Sequence, residues 1–434
     1  MERGKRIALL FPLFSFSKKG LLVKICQIKF INLHKAIYGS SLNCFIAPNY
    51  YCNFAPLENL KQMGKRNNAI DIARGFAIIL MVIGHSEMPG LLMRSIYLFH
   101  MPIFFISAGY FFNLSALDNP CNFIKKRFKG LYVPFVKYSL FFLLIHNLMF
   151  KWGIMNEVYG NWENGVTHPY SWHQFWQRMI YIVTSMEGYD EFLAGAFWFF
   201  RALLVASIMF LVLYKLLNKV KFLHNRTTAI PIVICLMAIG LGLALSCEKL
   251  RISMPQGGFR DTMGLFFFGL GVLYRKYESK IGHHLVWALV GASIVIGASL
   301  LKWSGMNVRP TAIDPLTLPI TGFAGWIMVY NISYHIAQLK PSKFSRFIAY
   351  CGNNSLYILV WHICAFKIVS LIKILYYGLD MRQIGCHMVI HFNSANDLFW
   401  VLYSIVGVVI PIALYYLYSK YLAPRIPKFN WLVK

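Results

Sequence analysis

The chain has 434 residues, 58% of them hydrophobic and 17% aromatic but only 14% charged, where an ordinary soluble domain carries about 25%. Apolar runs long enough to cross a bilayer recur along it, which excludes a soluble globular protein and predicts an all-α, polytopic transmembrane helix bundle. The net charge of +27 raises nucleic acid as a partner, but the Lys and Arg sit mainly in short loops between apolar runs. That is how cytoplasmic basic residues orient a membrane protein, so the expected partner is the lipid bilayer, with no nucleic acid.

Residues 1–62 differ from the rest: they are rich in Lys, Asn, Cys, Ile and Phe and show no sustained apolar or helical period. MERGKR followed by IALLFPLFSF imitates a signal peptide, yet no small-x-small cleavage site follows. The plainer expectation is a translation start at Met63, with residues 1–62 an atypical, disordered lead and the membrane domain occupying 63–434.

From residue 68 onward, ten spans are predicted at roughly 69–87, 95–113, 131–150, 193–214, 229–246, 259–274, 284–302, 318–337, 354–376 and 398–419. Each has about 16–23 residues, enough to cross about 30 Å of hydrocarbon at 1.5 Å per residue, some only barely. Counting Lys and Arg in alternate loops gives 21 on one side and 9 on the other, which puts both termini in the cytoplasm. The long loop 151–192 then lies outside. Within it Trp172, Phe175, Trp176, Met179, Ile180 and Val183 recur at helical spacing, with His173, Gln174, Gln177 and Arg178 opposite, and Ser171 with Gln174 forms a capping box. This predicts a helix lying on the outer surface or packed as a lid, more readily than one that binds substrate.

Ionisable residues inside spans are costly and mark candidate sites. The first span, NNAIDIARGFAIILMVIGHS, holds Asp71, Arg74 and His85. Arg74 and His85 are eleven positions apart, which on an ideal helix is within about 20° and about 16 Å, so both face one cavity, with Asp71 a turn away from Arg74 to hold its guanidinium. The plain alternative is that Asp71 and Arg74 anchor the helix end and His85 is a satisfied interfacial histidine. His100 stands near the start of the second span. After it Lys125, Lys126, Arg127 and Lys129 form a basic cluster that either binds the phosphates of a nucleotide-bearing donor or only sets topology. Arg201 in the fourth span and His362 in the ninth complete the intramembrane set, and Asp190 and Glu191 precede the fourth span. The nine cysteines include no Cys-x-x-Cys pair and no histidine cluster at zinc spacing, so neither a disulfide framework nor a metal site is expected.

Asp71, Arg74-Gly75 and His85, then Met101-Pro102, Phe104-Phe105, Gly109-Tyr110, Leu131-Tyr132-Val133-Pro134, Phe197-Trp198-Phe199, and Ser355-Leu356-Tyr357 leading to His362 follow one another from residue 66 to about 420. In that order they resemble the acyltransferase-3 family of bacterial inner-membrane proteins, and within it the fucose 4-O-acetylase-like branch. Residues 1–62 have no counterpart. The resemblance implies transfer of an acyl group, usually acetyl, from acetyl-CoA as co-substrate to a carbohydrate hydroxyl of a cell-surface polysaccharide or glycolipid. His85 is then the general base, with His362 the second candidate, Arg74 positions the donor or stabilises charge, and Asp71 orients Arg74. A polysaccharide or lipid-linked-sugar transporter is the rival reading; it predicts paired halves or broken helices, and the sequence has no visible internal repeat.

Overall fold

The computed structural model describes residues 67–160, 167–306, 309–390 and 397–425; the segment 1–62, with its expected start at Met63, lies outside them. Every regular element among the described residues is helical. Helix α1 (Asn68–Gly84) starts where the Asn67 side chain accepts from the N–H groups of Ala69 and Ile70, two of the donors a helix start leaves unpaired. Helices α2 (Gly90–Tyr97) and α3 (His100–Tyr110) stand where one span was predicted from 95 to 113, with the break at Leu98 and Phe99. Helix α4 (Pro120–Arg127) has proline in its first turn, where no N–H is needed, and passes through a π turn (Phe128–Tyr132) into α5 (Val133–Lys151).

There follow α6 (Trp172–Ser185), the short α7 (Glu191–Ala194), α8 (Trp198–Leu217), α9 (Ala229–Ser246), α10 (Phe259–Ile281), α11 (Leu285–Leu300), α12 (Asp314–Gln338), α13 (Lys343–Asn353), α14 (Ser355–Tyr377) and α15 (Phe399–Leu417). A helix stands over each of the ten predicted stretches. Six segments among the described residues are long and apolar enough to cross a membrane: Gly90–Tyr110, Pro120–Lys151, Trp198–Leu217, Ala229–Ser246, Ser355–Tyr377 and Phe399–Leu422. The others are short, as α1 and α11 are, or carry polar and charged groups, as α10 does with Asp261 and the run from Arg275 to Lys280.

Helix α1 is central: it packs against α3, α12, α13, α14 and α15, while α10 packs against α3, α8 and α9. Lipid tails are as apolar as leucine, so close fit rather than escape from water must hold such helices together. Two crossings supply that fit through paired glycines. A Cβ at Gly75 would lie 2.0 Å from the carbonyl oxygen of Ile348, and one at Gly352 would lie 1.9 Å from that of Asp71. Where α3 meets α10, the same distances are 1.9 Å from Gly109 to Phe268 O and 2.1 Å from Gly271 to Ile106 O. Both crossings are backbone against backbone.

Helix α6 opens with the expected capping box of Ser171 and Gln174. It runs antiparallel along α5. At one end the Asn147 side chain bonds both the N–H and the carbonyl of Tyr170; at the other the Tyr132 hydroxyl donates to Val183 O at 2.6 Å. The apolar face expected to meet one surface is therefore divided. Ile182 is buried and Phe175 and Met179 are half-buried, while Trp172, Trp176, Ile180 and Val183 point away from the bundle. Arg178, expected on the polar face, lies 4.2 Å over the Tyr170 ring and donates to Gly188 O.

Candidate active site

His85 caps the end of α1, its N–H shared between Met81 O and Val82 O. The next residue, Ser86, donates its hydroxyl to Ile83 O at 2.7 Å and lies 2.9 Å from Ser404 Oγ on α15, which ties the end of α1 to a third helix. The Tyr97 hydroxyl donates to Gly84 O at 3.3 Å, and its ring lies between those of His85, at 6.2 Å, and His100, at 5.3 Å. His362 enters from α14, fully buried. Its Nε2 lies 3.0 Å from His85 Nδ1 with the rings near-parallel, and its Nδ1 faces Ile358 O and Leu359 O at 3.1 and 3.0 Å. The two histidines singled out from the sequence, 277 positions apart, thus form one hydrogen-bonded pair.

Asp71 and Arg74 lie toward the other end of α1. Asp71 is buried in the first turn, where the helix N-terminus favours a carboxylate, and Arg74 follows one turn later, half-buried. At this end Asn67 Nδ2 reaches the hydroxyls of Tyr110 and Tyr330, both at 3.3 Å, and both hydroxyls donate to the Glu278 carboxylate. A hollow of about 360 Å³ opens at Phe111, the next residue after Tyr110, lined among others by Asn113, Asn119, Asn122, Phe123, Lys126 and Arg127. The basic cluster is divided in its duties. Arg127 is half-buried with its guanidinium over the rings of Phe123, at 5.1 Å, and Phe268, at 5.6 Å, whereas Lys125, Lys126 and Lys129 are exposed.

Arg201 does not join the histidine pair. It is buried on α8 against Asp261 of α10, Nε to Oδ1 and Nη2 to Oδ2 both at 3.3 Å. Asp261 was not singled out from the sequence, although a carboxylate opening an apolar helix is itself a signal. His146 was also missed. It sits in the apolar run FFLLIHNLMF, its Nδ1 2.6 Å from Asp190 Oδ2 and its ring stacked on Tyr170 at 3.6 Å. Among the described residues no group of three or more His, Cys, Asp or Glu side chains is arranged to hold a metal ion.

Fold and interior together define a multi-pass helical membrane protein with polar groups gathered at both ends of a central helix. The family model of an acyltransferase domain, acyltransferase-3, matches residues 67–416, most of the chain, and the chain belongs to that family. No curated protein and no solved structure matches it.

Proposed function

We propose that this acyltransferase moves an acetyl group from acetyl-CoA to a carbohydrate hydroxyl of a cell-surface polysaccharide or glycolipid, as in the fucose 4-O-acetylase-like branch. It works in a bacterial inner membrane, with about ten spans and both termini cytoplasmic. One observation carries the reading: the His85–His362 pair at one end of α1, with Arg74 toward the other end, where Asn67 bonds Tyr110, the neighbour in sequence of Phe111 in the Lys126-lined hollow. The donor enters at the Asn67 end, where Lys125, Lys126 and Lys129 meet its phosphates and Arg127 holds its place against Phe123 and Phe268. Arg74, oriented by Asp71, stands about 16 Å from His85 by helix rise, a span that a pantetheine arm covers.

His85 takes the proton of the acceptor hydroxyl as its oxygen attacks the thioester carbonyl. The carbonyl electron pair moves to oxygen, then returns as the carbon–sulfur bond breaks. The thiolate leaves, and the proton held by His85 passes to it. The ester and free CoA are the products.

Radiolabelled acetyl-CoA supplied to membranes carrying the chain tests this. Label is expected in the carbohydrate fraction, and His85→Ala is expected to lose about 10² to 10⁴ of the rate, the usual contribution of a general base. Unconsumed donor with wild-type chain refutes acetyl-CoA as the donor.

A further inference from the structure

We infer that His362 is not a base but the positioning residue that sets the tautomer of His85, leaving His85 Nε2 as the nitrogen that receives the acceptor's proton. The inference rests on the proposed role of His85 and deepens it.

The hydrogen-bond partners determine where each proton sits. Carbonyl oxygens only accept, so the ring nitrogen facing Ile358 O and Leu359 O, Nδ1 of His362, must carry its hydrogen. Among the described residues no carboxylate meets the fully buried His362, and a second proton there would place an uncompensated charge in the interior. His362 is therefore neutral, and its Nε2 is a lone pair. That lone pair faces His85 Nδ1 at 3.0 Å, so His85 Nδ1 carries a hydrogen and donates it. In neutral His85 the remaining nitrogen, Nε2, is unprotonated, and among the described residues it has no hydrogen-bond partner. The chain of donors runs from His85 to His362 to two main-chain carbonyls of α14.

This order excludes His362 as the base, because both its nitrogens are occupied. It also gives His362 a task in the reaction. When His85 Nε2 accepts the hydroxyl proton, the positive charge spreads onto an Nδ1–H already bonded to His362, so the acceptor lone pair there strengthens its hold as the reaction proceeds. The other titratable groups around His85 are Tyr97, His100 and His387; His100 has its own Nδ1 on Ile96 O at 2.8 Å.

Two replacements separate the roles. In His362→Glu a carboxylate oxygen reaches about where Nε2 stood and can only accept. In His362→Asn the amide reaches about where Nδ1 stood, keeping the carbonyl contact and removing the acceptor. Initial rates of label transfer from acetyl-CoA to membranes, with donor varied and pH scanned, are compared for full-length chain that elutes as folded protein in detergent. His362→Asn is expected to lose about 10² in kcat with KM for acetyl-CoA little changed, since a mis-set histidine tautomer costs up to about 10⁴ in a serine protease triad. His362→Glu is expected to stay within about tenfold of wild type and to move the acidic limb of kcat to higher pH, because the carboxylate favours protonated His85. If the Glu variant does not fold, His362→Gln offers a neutral acceptor at the same reach, and its kcat is expected to exceed that of the Asn variant. A His362→Asn variant with near wild-type kcat overturns the inference, as do acceptor-retaining variants no better than Asn. His85→Ala at wild-type rate overturns the underlying reading instead.

Discussion

Replacing Asp261 alone should destabilise the chain far more than replacing Asp261 and Arg201 together. The two side chains are 2% and 5% exposed, and their two hydrogen bonds are 3.3 Å long. Charge-assisted bonds of good geometry are about 2.7–2.9 Å, so this pair recovers only part of what it lost on leaving water. Removing one partner leaves the other charge buried, which costs about 3–5 kcal/mol and changes the folded fraction by about two to almost four orders of magnitude. Asp261→Leu is therefore expected near 3 kcal/mol, the long bonds setting the lower figure, while Arg201→Met with Asp261→Leu is expected within about 1 kcal/mol of wild type. The assay is thermal unfolding of detergent-purified chain, followed by recovery of the folded peak on size exclusion after heating. A double variant as unstable as the single one would show that the charge left behind is not the source of the loss, and the argument would fail.

Other expectations follow from the same contacts. Gly271→Ala places a methyl 2.1 Å from Ile106 O, so α3 and α10 must separate by more than about 1 Å, and the melting temperature should fall; an unchanged melt refutes the crossing. Neutralising Lys125 and Lys126 should raise the apparent KM for acetyl-CoA and leave kcat alone, whereas Arg127→Gln, which breaks two ring contacts, should also lower folded yield. Arg74→Lys keeps the charge but not the planar fork, and should lose transfer activity if the guanidinium holds an oxygen through two bonds. Reporter fusions after Lys129, Arg226, Lys280 and Lys343 should read cytoplasm and one near Asp380 the outer side; two reversals would discard the proposed orientation.

The helices were legible because their signal is local: apolar length and period, and a capping box at Ser171. The break between α2 and α3 was missed since both sides of it are apolar, so hydropathy runs straight through Leu98 and Phe99. The path of α6 was missed for another reason. Periodicity reveals that a helix has two faces, but the bonds from Asn147 and Tyr132 that lay it against α5 join residues 23 and 51 positions apart. The histidines were each visible as ionisable groups among apolar ones, yet their pairing was not. Helix geometry related His85 to Arg74 on its own helix and carried no information about α14, whereas contact across 277 residues depends on how α1 and α14 pack. Arg201 drew attention as a candidate for chemistry, and Asp261 turns it into a strut between α8 and α10.

The glycine crossings decide which parts of the molecule can give way. Where Gly75 meets Ile348 and Gly352 meets Asp71, main chain rests on main chain, and there are no rotamers to adjust. Such a joint does not slide; it holds or it comes apart. The α3–α10 joint at Gly109 and Gly271 behaves the same way, and α1 packs on α3, so the helix that carries His85 belongs to a stiff frame. The α5–α6 side is fastened instead by side-chain hydrogen bonds from Asn147 and Tyr132, which can break and re-form singly. Any breathing that admits a bulky acceptor is therefore expected to fall on α6, while the helix that carries His85 holds its place.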